Sequence, residues 1–255
     1  MSKNFELMQQ AETIVDDAPS EEAKPAITAR GSKTNGNGNG AHSHVQDEVT
    51  REESLKLVQN VFLSRSEASP RVVVFAGINS GDGCSWVCAN VAQALAGQQV
   101  GSVCLVDANL RSPVLPDLFG VGNHYGLTDA LAKKAPIREF AKVVRSDNLW
   151  LLSCGSLSAE SAGLLNSDMM KLRIAELRKE FDYVLIDSSP LMTFADGVAL
   201  GQLADGLVLV LGANSTRREA ATKVIESLRV AQIKVLGAVL NKRTFPIPET
   251  LYKMM

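Results

Sequence analysis

Apolar residues recur along this chain in short continuous runs rather than in alternation. They fall at Val72–Ala76, Val103–Val106, Leu149–Leu152, Tyr183–Ile186, Leu207–Leu211 and Val235–Leu240. Runs of this length without a period of two are the pattern of strands covered on both faces of a parallel sheet. Segments with helical spacing separate them, at Ser85–Ala96, Asp168–Glu180, Asp196–Leu203 and Arg217–Ala231. Repeated strand–helix units predict an α/β fold, a doubly wound and mostly parallel sheet flanked by helices. In such sheets ligands bind beyond the carboxyl ends of the strands.

Upstream of the first run the pattern changes. A helix is predicted over about Thr50 to Ser64, with Leu55, Val58, Val61 and Phe62 as its apolar stripe. Before it lies a polar stretch ending in Asn35-Gly36-Asn37-Gly38-Asn39-Gly40, which reads as a flexible linker with His42 and His44 at its end. Phe5, Leu7, Met8, Ala11, Ile14 and Val15 have the spacing of a short amphipathic helix near the start. The expected organisation is a disordered, acidic segment over 1–48, one α/β domain over 49–245 and a tail over 246–255.

Charge refines this division. Residues 1–50 hold four Lys/Arg and eight Asp/Glu, which leaves 22 and 20 of the totals of 26 and 28 for the remainder. The domain itself is close to neutral and lacks the basic excess of a general nucleic-acid binder, so no nucleic-acid partner is expected. No apolar run approaches the roughly 18 residues of a membrane span, and the first residues lack the basic head and apolar stretch of a signal peptide. Cys84, Cys88, Cys104 and Cys154 lie in or beside apolar segments with no zinc-finger spacing, and read as small residues in a packed region. These features suit a reducing cytoplasm.

The first strand feeds Gly77-Ile78-Asn79-Ser80-Gly81-Asp82-Gly83-Cys84-Ser85 and then a helix. Strand, glycine-bearing loop and helix form the context of a phosphate-binding P-loop. Gly81 and Gly83 allow backbone N–H groups to converge on an anion at a helix N-terminus. Ser85 stands where a Mg²⁺-binding hydroxyl belongs, and Cys84 stands where a lysine would reach the phosphates. Residues Ser80 to Trp86 are the expected phosphate-binding segment. A dinucleotide fingerprint is the rival reading, with Gly81-x-Gly83 and Asp107 as the ribose acid. Trp86 at its third glycine position, and four residues between Ala76 and Gly81, count against it.

Two acids complete the candidate site. Asp107 ends the second run in Val106-Asp107-Ala108-Asn109-Leu110-Arg111-Ser112-Pro113, and Asp187 ends the fourth in Phe181-Asp182-Tyr183-Val184-Leu185-Ile186-Asp187-Ser188-Ser189-Pro190. An apolar run closed by Asp is a Walker-B pattern, which holds Mg²⁺ directly or through water. Asp107 and Asp187 are therefore the candidate catalytic acids and, with Ser85, the candidate Mg²⁺ ligands.

These strings resemble the bacterial tyrosine kinase family of capsule and exopolysaccharide export, within the MinD/ParA-like P-loop ATPases. The resemblance runs from Arg51 to about Arg243 and includes Leu118-Phe119-Gly120, Gly126-Leu127-Thr128-Asp129-Ala130-Leu131 and Ala204-Asp205-Gly206. It implies ATP or ADP with Mg²⁺ as cofactors and places Asn241, in Val239-Leu240-Asn241-Lys242, near the adenine base. It also implies homo-oligomers and a membrane-embedded chain-length or polysaccharide export protein as partner. A cytoplasmic chain without its own span would then be recruited to the inner face of the plasma membrane.

The sequence departs from that family at its catalytic positions. P-G-E-G-K-S/T-T becomes Ser80-Gly81-Asp82-Gly83-Cys84-Ser85-Trp86, and D-x-D becomes Asp107-x-Asn109. The tyrosine cluster of the tail is reduced to Tyr252, and E-x-x-R-x-x-R survives as Glu53-Ser54-Leu55-Lys56-Leu57-Val58-Gln59. Together these departures predict a catalytically impaired member that acts as an adaptor or regulator. The alternatives are an active autokinase or ATPase with a displaced cation, for which Arg111 is a candidate, and a ParA-like positioning ATPase.

Overall fold

The computed structural model describes residues 40–63, 69–144, 148–158 and 161–243. The expected helix near the start, the linker up to residue 39 and the tail with Tyr252 lie outside the described residues.

Seven strands form one sheet in the order β3-β4-β2-β5-β1-β6-β7. These are β1 (Val72–Gly77), β2 (Val103–Asp107), β3 (Lys142–Val143), β4 (Leu149–Leu152), β5 (Tyr183–Ser188), β6 (Gly206–Gly212) and β7 (Val235–Asn241). All pairings are parallel except that of β3 with β4. Each apolar run of the sequence becomes one strand; the two-residue β3, with Lys142 and Val143 both exposed, is too short and too polar to show a pattern.

The lack of alternation has the expected cause. Val72, Val74, Cys104, Val106, Val184, Ile186, Leu207 and Leu209 point into one core layer. Val73, Phe75, Val103, Leu105, Leu185, Val208 and Val210 point into the other. The first layer is covered by α4 (Leu127–Ala132), α5 (Asp168–Glu180), α6 (Asp196–Gly201) and α7 (Arg218–Val230). The second is covered by α1 (Gly40–Val61) and α2 (Cys84–Gly97), with the short α3 (Leu115–Phe119) beside them. Burying both faces of a Val- and Leu-rich strand removes its side chains from water whatever their parity, at about 1.5–3 kcal/mol each.

Helix α1 begins at Gly40 rather than Thr50, so the backbone at His42 and His44 is helical and not linker. Its buried stripe is Ser54, Val58, Val61 and Phe62; Leu55 is half-buried, and the small Ser54, one turn before Val58, takes the inward position instead. Phe62 meets Tyr183 edge to face at 5.9 Å between ring centroids, which ties α1 to the start of β5. At the same end Asp205 accepts the backbone N–H groups of Arg71 (2.7 Å) and Val72 (2.8 Å) and pairs with Arg178 at 2.8 Å. That cluster fixes the entry of β1, whose far end carries the glycine loop.

Strand β7 is a half-exposed edge, with Leu240 open to solvent. It is the one apolar run that the sequence pattern over-reads as buried.

Candidate active site: a phosphate loop without its lysine

The strand order places the chemistry. Strand β5 lies between β1 and β2, and Asp107 and Asp187 are direct register partners at the carboxyl ends of β2 and β5. Asp187 also pairs with Phe75 of β1, two residues before Gly77 opens the loop. Two acids 80 residues apart in sequence therefore stand side by side at the foot of the glycine loop.

Both acids are fully buried. Asp107 accepts N–H groups from Asn109 (3.3 Å) and Leu115 (3.2 Å), so its oxygens hold the turn that follows β2. Neither oxygen of Asp187 meets the geometry of a hydrogen bond among the described residues, although the Ser85 hydroxyl and the Cys84 thiol lie close enough to stabilise its charge. Burial pushes Asp107 up to about 8, with the neighbouring Asp187 charge acting in the same direction. Burial likewise pushes Asp187 up to about 7, while the side chains of Ser85 and Cys84 pull part of the way back. A buried, unpartnered carboxylate facing a serine hydroxyl is a donor pair suited to a hard cation.

The loop has the backbone of an anion cradle. Gly81 (φ 86°) and Gly83 (φ 83°) are both left-handed, a conformation costly to other residues. Gly83 is the N-cap of α2, and no side chain caps the helix. The N–H groups of Cys84, Ser85 and Trp86 form its first turn, where an α-helix leaves its donors without internal acceptors. A Cβ at Gly83 would meet Asn241 Nδ2 and displace that amide, which adds to the cost of its left-handed φ for any other residue.

The structure divides the segment Ser80 to Trp86, all of which was expected to meet the ligand. Ser80 and Gly81 are exposed at the loop tip, and Ser85 is half-buried against Asp187. Asp82 turns inward: its carboxylate accepts the N–H of Asn79 at 2.8 Å and lies 3.3 Å from the Thr216 hydroxyl and 3.5 Å from that of Ser215. Its side chain thus braces the loop against the segment after β6. Trp86 is 45% exposed and packs little against the loop. Asn241 donates to the Asp82 carbonyl at 2.9 Å, which fastens the end of β7 to the loop.

Cys84 lies in the first turn of α2 and faces Asp187. Burial pushes its thiol well above the usual range, and the negative charge of Asp187 adds to this. The position therefore carries a neutral thiol and no charge. Cys88, one turn further, is raised by the same two causes. Among the described residues no group of three or more His, Cys, Asp or Glu side chains is arranged to hold a metal by itself.

Asn109 fills its position structurally. Its Oδ1 accepts the Ser189 hydroxyl (3.2 Å) and the Ser112 N–H (3.3 Å), bonds that an aspartate would also accept. Arg111 is engaged away from the loop: its guanidinium stacks on Phe194 at 4.6 Å and its Nε lies 3.5 Å from Asp196 Oδ2. It braces the start of α6 in this arrangement. Thr216, Ser215 and Ser189 went unnoticed in the sequence. Their only signal is a hydroxyl next to a strand end, which many turns share.

The site fits a magnesium nucleotide by its donor set: an N–H cradle for phosphate, and the hard oxygens of Ser85 and Asp187, with Asp107 behind them, for the cation.

Known proteins resemble this chain in sequence and in fold. Residues 69–254 match the ParA family, described as NUBPL iron-transfer P-loop NTPase. Tyrosine-protein kinase YwqD of Bacillus subtilis is 34% identical over 182 residues, covering 71% of this chain and 76% of that protein. The succinoglycan biosynthesis transport protein ExoP of Rhizobium meliloti is 32% identical over 74% of this chain, a match that takes up 24% of ExoP. Among solved structures, the chimerical protein CapA2B2 superposes with a TM-score of 0.71 at 22% identity, over 76% of this chain and 85% of that one. No helix among the described residues is long and apolar enough to cross a membrane. The chain belongs to the ParA-like P-loop NTPase family, with bacterial tyrosine kinases among its homologues.

Proposed function

We propose that this chain acts in capsule or exopolysaccharide biosynthesis as a nucleotide-binding regulator of a membrane-embedded chain-length or export protein, with tyrosine phosphotransfer strongly impaired. The name of ExoP, a succinoglycan biosynthesis transport protein, supports the pathway, and relatives such as the tyrosine-protein kinase YwqD support the kinase ancestry of the site. The observation that carries the impairment is the neutral thiol of Cys84 at the lysine position.

In phosphoryl transfer the protein acts mainly by positioning and by electrostatic stabilisation. Loss of one preorganised group of that kind costs about 2.7–4 kcal/mol, or roughly 10² to 10³ in rate. Binding depends on more than that one group. The first-turn N–H groups of α2 remain to hold phosphate, and Ser85 and Asp187 remain to hold Mg²⁺. When bound, Mg²⁺ would offset the buried carboxylate charge and the phosphate charge together. Asp107 sits behind Asp187 and fixes the turn through Leu115 and Asn109.

The domain carrying this activity is 49–245, with the acidic 1–48 segment and the 246–255 tail as appendages. The membrane partner would supply the recruitment that a chain of this kind needs, and self-association would use the α1 face around Glu53 and Lys56.

Calorimetric titration with Mg-ATP, alongside phosphate release, tests this reading. Measurable binding with little release is expected. Release by the wild type that drops on Asp187→Ala would show a working enzyme and end the regulator reading.

A further inference from the structure

The phosphate loop has lost its own lysine, but a second lysine reaches it from another strand. A methyl group added at Gly83 would lie 3.8 Å from Lys242 Cε, so the end of that side chain rests against the residue that caps α2. Two features hold it there. The preceding residue, Asn241, is bonded to the Asp82 carbonyl at 2.9 Å and touches Gly83 directly. Lys242 itself has φ 59°, a left-handed conformation uncommon for a residue with a side chain, which ends β7 and sets the lysine beside the loop.

Its chemistry is unassigned. Lys242 is exposed and makes no ion pair among the described residues. Arg111, the other candidate cation, is held by Phe194 and Asp196. The site therefore presents an N–H cradle, a neutral Cys84 and the fully buried Asp187, with the Lys242 side chain beside Gly83.

We propose that Lys242 supplies, from the end of β7, the positive charge that the loop lacks at Cys84, and that it binds the phosphates of a nucleotide held on the loop. This rests on the nucleotide-binding reading above and names the residue on which binding depends. A lysine at position 84 would grow out of α2 itself, whereas Lys242 approaches from outside the loop. It thus serves retention of the ligand rather than the transition state, which is how binding outlasts turnover.

The test is calorimetric titration of the full chain with Mg-ATP in wild type, Lys242→Gln, Lys242→Arg, Cys84→Lys and the double variant Cys84→Lys/Lys242→Gln. Glutamine removes the charge but keeps a polar side chain, and an exposed position leaves the melting temperature in place as a folding control. Loss of one charge-assisted contact predicts binding about 10-fold weaker in Lys242→Gln. Lys242→Arg should stay within about 3-fold of wild type, and the glutamine effect should shrink below about 2-fold when Cys84→Lys restores the loop's own cation. Wild-type affinity in Lys242→Gln would overturn the proposal while leaving the nucleotide reading intact. So would an equal loss in both backgrounds, since that places Lys242 at some other part of the ligand. A folded wild type that gives no signal with millimolar Mg-ATP would overturn the nucleotide reading itself, and this inference with it.

Discussion

Replacing Asp187 by asparagine in the nucleotide-free protein is expected to stabilise it at pH 8, and to do so much less at pH 5. The carboxylate is fully buried, neither oxygen is hydrogen-bonded among the described residues, and burial raises its pKa from 3.8 to about 7. For an acid raised on folding, the folded state binds the proton more tightly than the unfolded chain. Stability then falls as pH rises from about 4 to about 7, and the full penalty stands above that. A shift of about three units corresponds to roughly 4 kcal/mol at pH 8, against roughly 1–2 kcal/mol at pH 5, since each unit is about 1.36 kcal/mol. The wild type should therefore lose on the order of 3 kcal/mol between these pH values from this group alone. At about 2–4 °C per kcal/mol for a domain of this size, that is a fall in Tm of roughly 6–12 °C. The amide of Asp187→Asn cannot ionise, so the variant should lose most of that slope; relief of Asp107 beside it would add to the difference. Thermal melts by circular dichroism at both pH values, without Mg²⁺, measure it. Equal slopes in wild type and Asp187→Asn would show that the buried carboxylate carries no such penalty.

Other outcomes follow from the same geometry. Asp82→Ala leaves the Asn79 N–H without its acceptor and should lower stability by about 1–3 kcal/mol in urea titration, with Mg-ATP affinity falling as the loop loosens. Phe75→Ala, fully buried in β1, should cost about 3–5 kcal/mol in the same assay. Trp86, in the first turn of α2 and partly exposed, should change its fluorescence on adding Mg-ATP, and Trp86→Phe should abolish that change. Asn109→Asp adds a carboxylate beside two that are already buried, so the variant should melt lower than wild type at pH 8 and approach it at pH 5.

Much of this architecture was legible in the sequence because a strand covered on both faces leaves an unbroken apolar run. Val72–Ala76 and Leu207–Leu211 show that directly. Helices of three turns or more, such as Asp168–Glu180, were legible by period. Leu115–Phe119 and Leu127–Ala132 were not, since so short a segment seldom completes a repeat that separates helix from loop; the equally short Asp196–Gly201 lies in a segment whose helical spacing runs on to Leu203. Asn35 to Gly40 masked the start of α1, because asparagine and glycine read as linker wherever they cluster.

The site divides in the same way. Asp107 and Asp187 stand out as acids closing apolar runs, and Gly81 and Gly83 as loop glycines, because each signal is local. The inward turn of Asp82 is not local: its partners Ser215 and Thr216 lie more than 130 residues away, brought near by the pairing of β1 with β6. Lys242 was equally hidden, since its place beside Gly83 depends on β7 pairing with β6 at the edge of the sheet.

The central claim is that Cys84 marks a loop that holds phosphate without transferring it. Phosphate release from Mg-ATP by wild type and Cys84→Lys, measured side by side at saturating nucleotide, tests this most directly. Release by Cys84→Lys should run at least about 10²-fold faster than by wild type, the cost of one missing electrostatic group. Wild-type release equal to or faster than that of Cys84→Lys would contradict it.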